Sequence, residues 1–501
     1  MNRLTGSKGL LAATVLASCG VLGSPAAHAA KPEKPALSVI EDAKAHTEAR
    51  IKAMNRVWDE VAAGRAEPAA VREALKKVAW ARANFYKVRI AAFEALLRDE
   101  PNIEDTRKMM RLMLPTETQW NAIDFIGSTA ADRGWTDLTT GLVRCWSRPV
   151  PEPPDDRRPE RAALERLHPG RTPEDVVFDV FVGLPALGPA ERTAADNRER
   201  ERQDAWALLR RLDKDGTRTL ALLSQAPLNE TGDPLLASLA AAARDLGVVP
   251  DTAEQLAWVT SLRAPAYAQY WSQCASAVAS LSPEQRRGLE LRHMPAIRWA
   301  SLARPQWLST GRDELVAQLE RELKPRKKVV RASAMNAARR APESIQTWRD
   351  QLSWGDALLA LAAAEAVLDP QLARDVFAQA DEDKIDVSTE HGGVIDAPGA
   401  GGRPFSLRTF APRPAQRFGD RRFVASPEMI EQGVDSLFHY HLHCTAYGNS
   451  EYAGPSDDDL LYARRQGRSC LVFTFTARDA LNVDYFQPDG VVLDLGTIRR
   501  P

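Results

Sequence analysis

An excess of charge of either sign is missing from this chain: Lys and Arg number 66, Asp and Glu 67, in 501 residues. Without a basic surplus there is no global electrostatic footprint for a phosphate backbone, and no nucleic-acid partner is expected. Cysteine is scarce, five in all, too few for the disulfide framework of a small secreted scaffold. Beyond the first thirty residues no apolar run reaches the roughly eighteen residues that a membrane span needs, so no transmembrane span is expected there. What is present is ordinary globular material, 44% hydrophobic and 27% charged. That is too apolar for disorder over most of its length, and too long for one core.

The start of the chain has a different character. Arg3 and Lys8 precede the apolar run "GLLAATVLASCGVLG", and Ala27-His28-Ala29 offers a small-x-small cleavage site before Ala30. Residues 1–29 therefore read as an export signal, which predicts an exported protein of the periplasm or cell envelope. Leu16 to Cys19, "LASC", also reads as a lipobox, in which case Cys19 would carry a lipid anchor. Four cysteines then remain, Cys145, Cys274, Cys444 and Cys470. Cys444 and Cys470 either pair or are simply small buried residues.

From about Ala36 to Gln379 apolar residues recur at spacings of three and four, and many blocks open on Asp, Pro or Thr and close on Gly or Pro. This predicts an all-α, solenoid-like or irregular helical array over 36–147 and 176–368. A segment rich in proline and charge at 148–175 reads as a linker between them. After Gln379 the chain changes. "GGVI", "SLFHYHLHC", "SCLVFTFT" and "GVVLDLG" read as strands, and "DDDLLYARRQG" as one helix with acids in its first turn. Residues 369–501 are thus expected to form a small α+β domain. "APGAGGRP" (397–404) lacks the Lys-Ser/Thr of a phosphate loop and reads as a turn, and "KPRKKVVR" (324–331) as a solvated basic face.

Inside that domain, "FHYHLHC" places His439, His441 and His443 at alternate positions, three of only eight histidines. On a strand they share one face, where they are either stacked polar residues or metal ligands. A catalytic zinc usually takes three protein ligands and leaves a fourth position for water. Downstream, "GPSDDDLLYA" sets Ser456 before Asp457, Asp458 and Asp459 at a helix start, within reach of such a site. Upstream, "STEHGGVI" sets Glu390 just before a strand, where a carboxylate could take a proton from the water and pass it to a leaving amine. As plain structure, Ser456 is a helix N-cap and Glu390 a strand-edge acid.

Glu followed by Gly-Gly and a strand, then His-x-His, then Ser-x-x-Asp opening a helix, resembles the JAMM (JAB/MPN) metalloprotease signature, over Asp369 to Ile498. The resemblance implies one Zn²⁺, Glu390 as general base, Asp459 as third ligand, and Ser456 steadying an oxyanion. Two histidine registers stay open, His439 with His441 or His441 with His443, so His441 belongs to both. Twelve residues separate His443 from Ser456, more than in the family, and neither register is followed by the family's usual proline.

The expectation is an exported zinc-dependent hydrolase of peptide or isopeptide bonds, with the helical region as a platform for an unidentified protein or peptide substrate. The rival is an envelope scaffold whose C-terminal domain is inactive or holds a structural metal, closed by Cys444 or the remaining histidine.

Overall fold

A computed structural model describes residues 33–183, 195–225, 228, 232–329, 343–397, 405–419 and 422–501. The export signal, the Cys19 lipobox and nearly all of the glycine-rich turn at 397–404 lie outside the described residues. Two compact units divide at Thr106 and Arg107. The first is helical, with its main helices at Thr47–Ala62, Pro68–Trp80 and Tyr86–Leu97. They are tied by bonds such as Trp58 Nε1 to the Ala95 carbonyl, 2.7 Å.

The second unit begins with helices of unequal length, from four residues at Pro283–Arg286 to eighteen at Ala195–Leu212, an irregular array. The segment 148–175, expected as a linker, is folded into it. Pro159–Leu167 is a helix with Ala163 and Leu164 buried, and Arg158 pairs with Glu160 in the interior at 2.7 Å. Pro159 and Pro173 start helices here instead of stiffening a spacer, as N1 positions allow. At its end, Thr172 and Asp175 form a capping box on the helix Pro173–Val182. The basic run at 324–329 is not wholly solvated either: Arg326 reaches inward to the carbonyls of Ala364 and Leu495.

Six strands follow, β1 (Gly392–Asp396), β2 (Ser406–Thr409), β3 (Phe438–His443), β4 (Cys470–Ala477), β5 (Ala480–Phe486) and β6 (Val492–Arg499). They form one mixed sheet in the order β2-β1-β3-β4-β5-β6. Only β3 and β4 run parallel, and the helix Asp457–Gln466 joins them, as a parallel pair requires a crossover. Sequence patterning anticipates β1, β3, β4, β6 and this helix. It misses β2, which is short and has no buried residue, and β5, where Asn482 and Asp484 interrupt the apolar run.

Strand alternation divides the sheet into two faces. Phe438, Tyr440, Leu442 and Cys444 join Leu471, Phe473, Phe475, Val483, Tyr485 and Leu493 in a single core with the helices from Ala241 onward. The helix Trp354–Ala366 is buried on nearly every side within that core, and Pro370–Ile385 packs Phe377 against Phe475. The last 133 residues are therefore not a separate domain beginning at 369, because sheet and helices share one apolar interior. The sequence "WGDALLALAAAEAVL" signals this, since a helix apolar all round must be enclosed. Truncating Phe473 would cost about 3–5 kcal/mol, the usual loss for a buried aromatic.

The opposite face carries His439, His441, Cys470, Val472 and Phe486, and the crossover helix covers part of it through Leu460, Tyr462 and Ala463. That helix is fixed at both ends. Ser456 caps its start, and Gly467 ends it at φ 65°, where any side chain would also collide with Gln255. Thr252 Oγ1 donates to the Arg465 carbonyl at 2.9 Å, and Arg468 lies buried against the Trp258 ring. The four cysteines among the described residues are buried free thiols, so Cys444 and Cys470 are small core residues on opposite faces and not a pair. Among the described residues no helix is long and apolar enough to cross a membrane.

Candidate metal centre

The register of β1 against β3 does the first part of the assembly. Gly392 lies opposite His441, and the Leu442 N–H donates to the His391 carbonyl at 3.0 Å. Counting back along this antiparallel pairing sets Glu390 opposite His443, on the same face. The glycine opposite His441 has a steric reason. Phe423 stacks on the His441 ring, centroids 5.4 Å apart and planes within 14°, and a methyl on Gly392 would run into that phenyl ring and into the Tyr440 carbonyl. Gly392 thus makes the space in which His441 is held.

The crossover helix supplies the second part. Its first turn is a capping box: Asp459 N–H donates to Ser456 Oγ at 3.2 Å, and Asp459 Oδ2 accepts from the Ser456 N–H at 2.7 Å. The Ser456 hydroxyl donates to the same Oδ2 at 2.8 Å. This leaves Oδ1 aimed at His441 Nε2, 3.2 Å away. The hydroxyl expected to steady an oxyanion is therefore spent on Asp459, where it fixes the carboxylate's orientation.

The groups converge. His441 Nε2 and His443 Nε2 are 3.2 Å apart, Asp459 Oδ2 is 3.7 Å from His443 Nε2, and Glu390 Oε1 is 4.0 Å from it. Glu390, His441 and Asp459 are buried, and His443 is partly exposed. Glu390, His441 and His443 lie close enough to hold a metal ion between them. His439 does not join them. Its Nδ1 is bonded to the Tyr462 hydroxyl at 2.8 Å beneath the crossover helix, and its Nε2 is buried without a partner. Alternation puts all three histidines on one face, but Tyr462 covers the first and leaves the other two at the open end. Asp457 and Asp458 are exposed first-turn acids, as expected beside a helix N-terminus.

Electrostatics follow from burial and contact. Burial works to neutralise His441, yet the Asp459 carboxylate, with help from Glu390, outweighs it and raises the imidazole above its usual range. Burial pushes Asp459 up, but His441 and His443 more than reverse this and hold its carboxyl well below the ordinary carboxylate range. His439 is pushed the other way, well below its ordinary value, by burial and then by Arg468 and Arg408.

The cluster forms the floor of a cleft of about 1130 Å³. Val387, Phe418, Tyr452 and Leu461 line it, each more than half exposed. Four large apolar side chains left open around one cleft are an unusual concentration, of the kind that marks a binding surface. Sequence reasoning missed this rim: Val387 and Phe418 lie in loops that carry no periodicity, and Leu461 reads as an ordinary residue of the crossover helix until the fold leaves it open.

Comparison of the chain with family models, with curated proteins and with solved structures finds no match. The likeness to the JAMM signature therefore stands on the site's own residues.

Proposed function

We propose that this protein is a zinc-dependent hydrolase of peptide or isopeptide bonds, with His441, His443 and Asp459 as ligands and Glu390 as general base. One observation carries the reading. Zinc bound tetrahedrally to imidazole and carboxylate at about 2.0–2.2 Å needs ligand atoms about 3.3–3.6 Å apart. The two imidazole nitrogens stand 3.2 Å apart, and the Asp459 carboxylate reaches both through different oxygens, Oδ1 at 3.2 Å from His441 and Oδ2 at 3.7 Å from His443. Glu390 Oε1 lies 4.0 Å from His443 Nε2, a distance from which it could reach a water held between the ligands.

Bound there, zinc would supply Lewis acidity, making a water more acidic and a carbonyl more electrophilic. The rest falls to the chain. Glu390 takes the proton of the attacking water at its carboxylate and delivers it to the departing amine. Ser456 and the helix turn hold Asp459 in place, and Phe423 and Gly392 hold the His441 ring. The apolar rim suits an extended polypeptide segment with large apolar side chains on either side of the scissile bond.

The scaffold alternative needs a fourth protein ligand to close the site. Its two candidates point elsewhere: Cys444 Sγ contacts the Phe473 carbonyl at 3.6 Å on the other face, and His439 is held by Tyr462. With both turned away, the scaffold reading would have to close the site with Glu390, which lies close enough to the two imidazoles to serve as a ligand; zinc retained by Glu390→Gln favours catalysis over a structural metal.

The test is a peptide library incubated with zinc-loaded protein, read by mass spectrometry. Wild type should cut it and Glu390→Gln should bind zinc equally without cutting. A wild type that binds zinc and cuts no peptide or isopeptide bond would leave the scaffold reading standing. The export and envelope assignments remain part of the same proposal, tested by locating the mature N-terminus and any lipid on Cys19.

A further inference from the structure

The two strand ends that carry Glu390 and His443 leave their ladder just at the site. Past the Leu442–His391 bond, the next backbone donors are the N–H groups of His391 and Cys444. These are the residues directly after Glu390 and His443. Both N–H groups are taken by one side chain. Asp383, fully buried in the last turn of the helix Pro370–Ile385, accepts from His391 N–H at 2.6 Å through Oδ1. Its Oδ2 accepts from Cys444 N–H at 3.2 Å.

We propose that Asp383 is the positioning residue of the metal centre, a carboxylate bridge that sets the spacing between the Glu390 backbone and the His443 backbone. The inference rests on the metal reading above, and adds to it a residue on a helix whose apolar side packs against the far face of the sheet. The carboxylate is suited to the task because it accepts two hydrogen bonds from two chains and donates none. An asparagine of the same shape keeps one acceptor and turns an N–H₂ toward the other backbone N–H, which forces that strand end away. The site residues stay present and the spacing between them loosens. Partners that orient ligands in this way typically cost ten- to a hundredfold in metal affinity when removed.

The same helix provides the control. One turn earlier, Gln379 accepts a hydrogen bond from the Tyr440 hydroxyl on the core face of β3. Gln379→Leu loses a buried bond of the same helix without touching either strand end.

The experiment titrates zinc against a chromophoric chelator in wild type, Asp383→Asn and Gln379→Leu, with thermal melts of each in EDTA and the cobalt absorption spectrum of each. Asp383→Asn should bind zinc about ten- to a hundredfold more weakly with an altered cobalt spectrum. Gln379→Leu should melt lower with affinity and spectrum unchanged. Equal zinc affinity and identical cobalt spectra in wild type and Asp383→Asn would overturn the bridge while leaving the metal centre intact. So would losses of affinity that simply follow the drop in melting temperature in both variants. A wild type that takes up no zinc would overturn the metal reading itself.

Discussion

Two buried aspartates of this protein occupy nearly the same local structure and serve different ends. Asp356 and Asp459 are each the third residue of a helix, each in a capping box with the serine three positions earlier. In each, Oδ2 closes the box and Oδ1 faces a histidine Nε2, at 3.0 Å from His293 and 3.2 Å from His441. What surrounds the pairs is different. Asp356 Oδ1 also receives Arg292 Nη1 at 2.6 Å, and His293 Nδ1 accepts the Glu290 N–H at 3.0 Å, so every partner is engaged in a closed interior. Asp459 has a second imidazole, a glutamate nearby and a cleft. The Ser-x-x-Asp pattern is a helix start in both places; a second histidine and an opening make one of them a candidate metal site.

Breaking the closed pair should be costly to the fold, and breaking the open one costly to metal binding. Asp356→Ala breaks the buried pair with Arg292, leaving that guanidinium to Glu290 alone, and should lower stability by about 3–5 kcal/mol in urea denaturation, with zinc affinity unchanged. Asp459→Asn removes a ligand, and should weaken zinc by about a hundredfold or more, with a smaller change in stability. His441→Ala should do the same as Asp459→Asn, and His439→Ala should leave zinc affinity within a fewfold of wild type.

Glu390→Gln separates chemistry from binding. It should lower hydrolysis by about 10²- to 10⁴-fold, the usual contribution of a general base, with zinc content by elemental analysis unchanged.

Acidity sharpens the contrast further. His441 is raised in the metal-free protein, so an entering cation must displace its proton. Apparent zinc affinity should rise about tenfold per pH unit while the pH is below that raised value, and level off above it. Asp356 runs in the opposite sense. Burial opposes its charge, but Arg292 and His293 outweigh burial and depress its carboxyl. A depressed folded value means stability fully present above the unfolded carboxylate value of about 3.9, and lost as pH falls below it toward the folded one. Acid unfolding monitored with and without zinc should show the Asp356 contribution in both.

The smallest effects are at the caps. Ser353→Ala and Ser456→Ala should each cost about 0.5–2 kcal/mol, and only Ser456→Ala should also weaken zinc, because its hydroxyl orients Asp459.

The site was largely readable as residue chemistry and only partly as geometry. The alternation of "FHYHLHC" puts three imidazoles on one face, and "SDDDLLYA" opens a helix, both from short-range rules. That Tyr462 would cover His439 depends on how the crossover helix lies on the sheet, which no local pattern encodes. Asp383 was illegible for the same reason: within "QADEDKI" it reads as one more acid at a helix end, and its partners are eight and sixty-one residues away. The strands with continuous Val, Phe and Leu were plain, whereas β5 was hidden by Asn482 and Asp484, polar residues buried by tertiary structure. The change from helix to strand comes after Ile385 and is not a change of core, so the boundary expected at 369 falls inside the helical part of one interior.

Crystals soaked in zinc and measured across its absorption edge test the central claim most directly. The account predicts one anomalous peak, about 2 Å from His441 Nε2, His443 Nε2 and an Asp459 oxygen, with Glu390 beside it and unbonded. A site without a peak, or a peak held by His439 or Cys444, would contradict it.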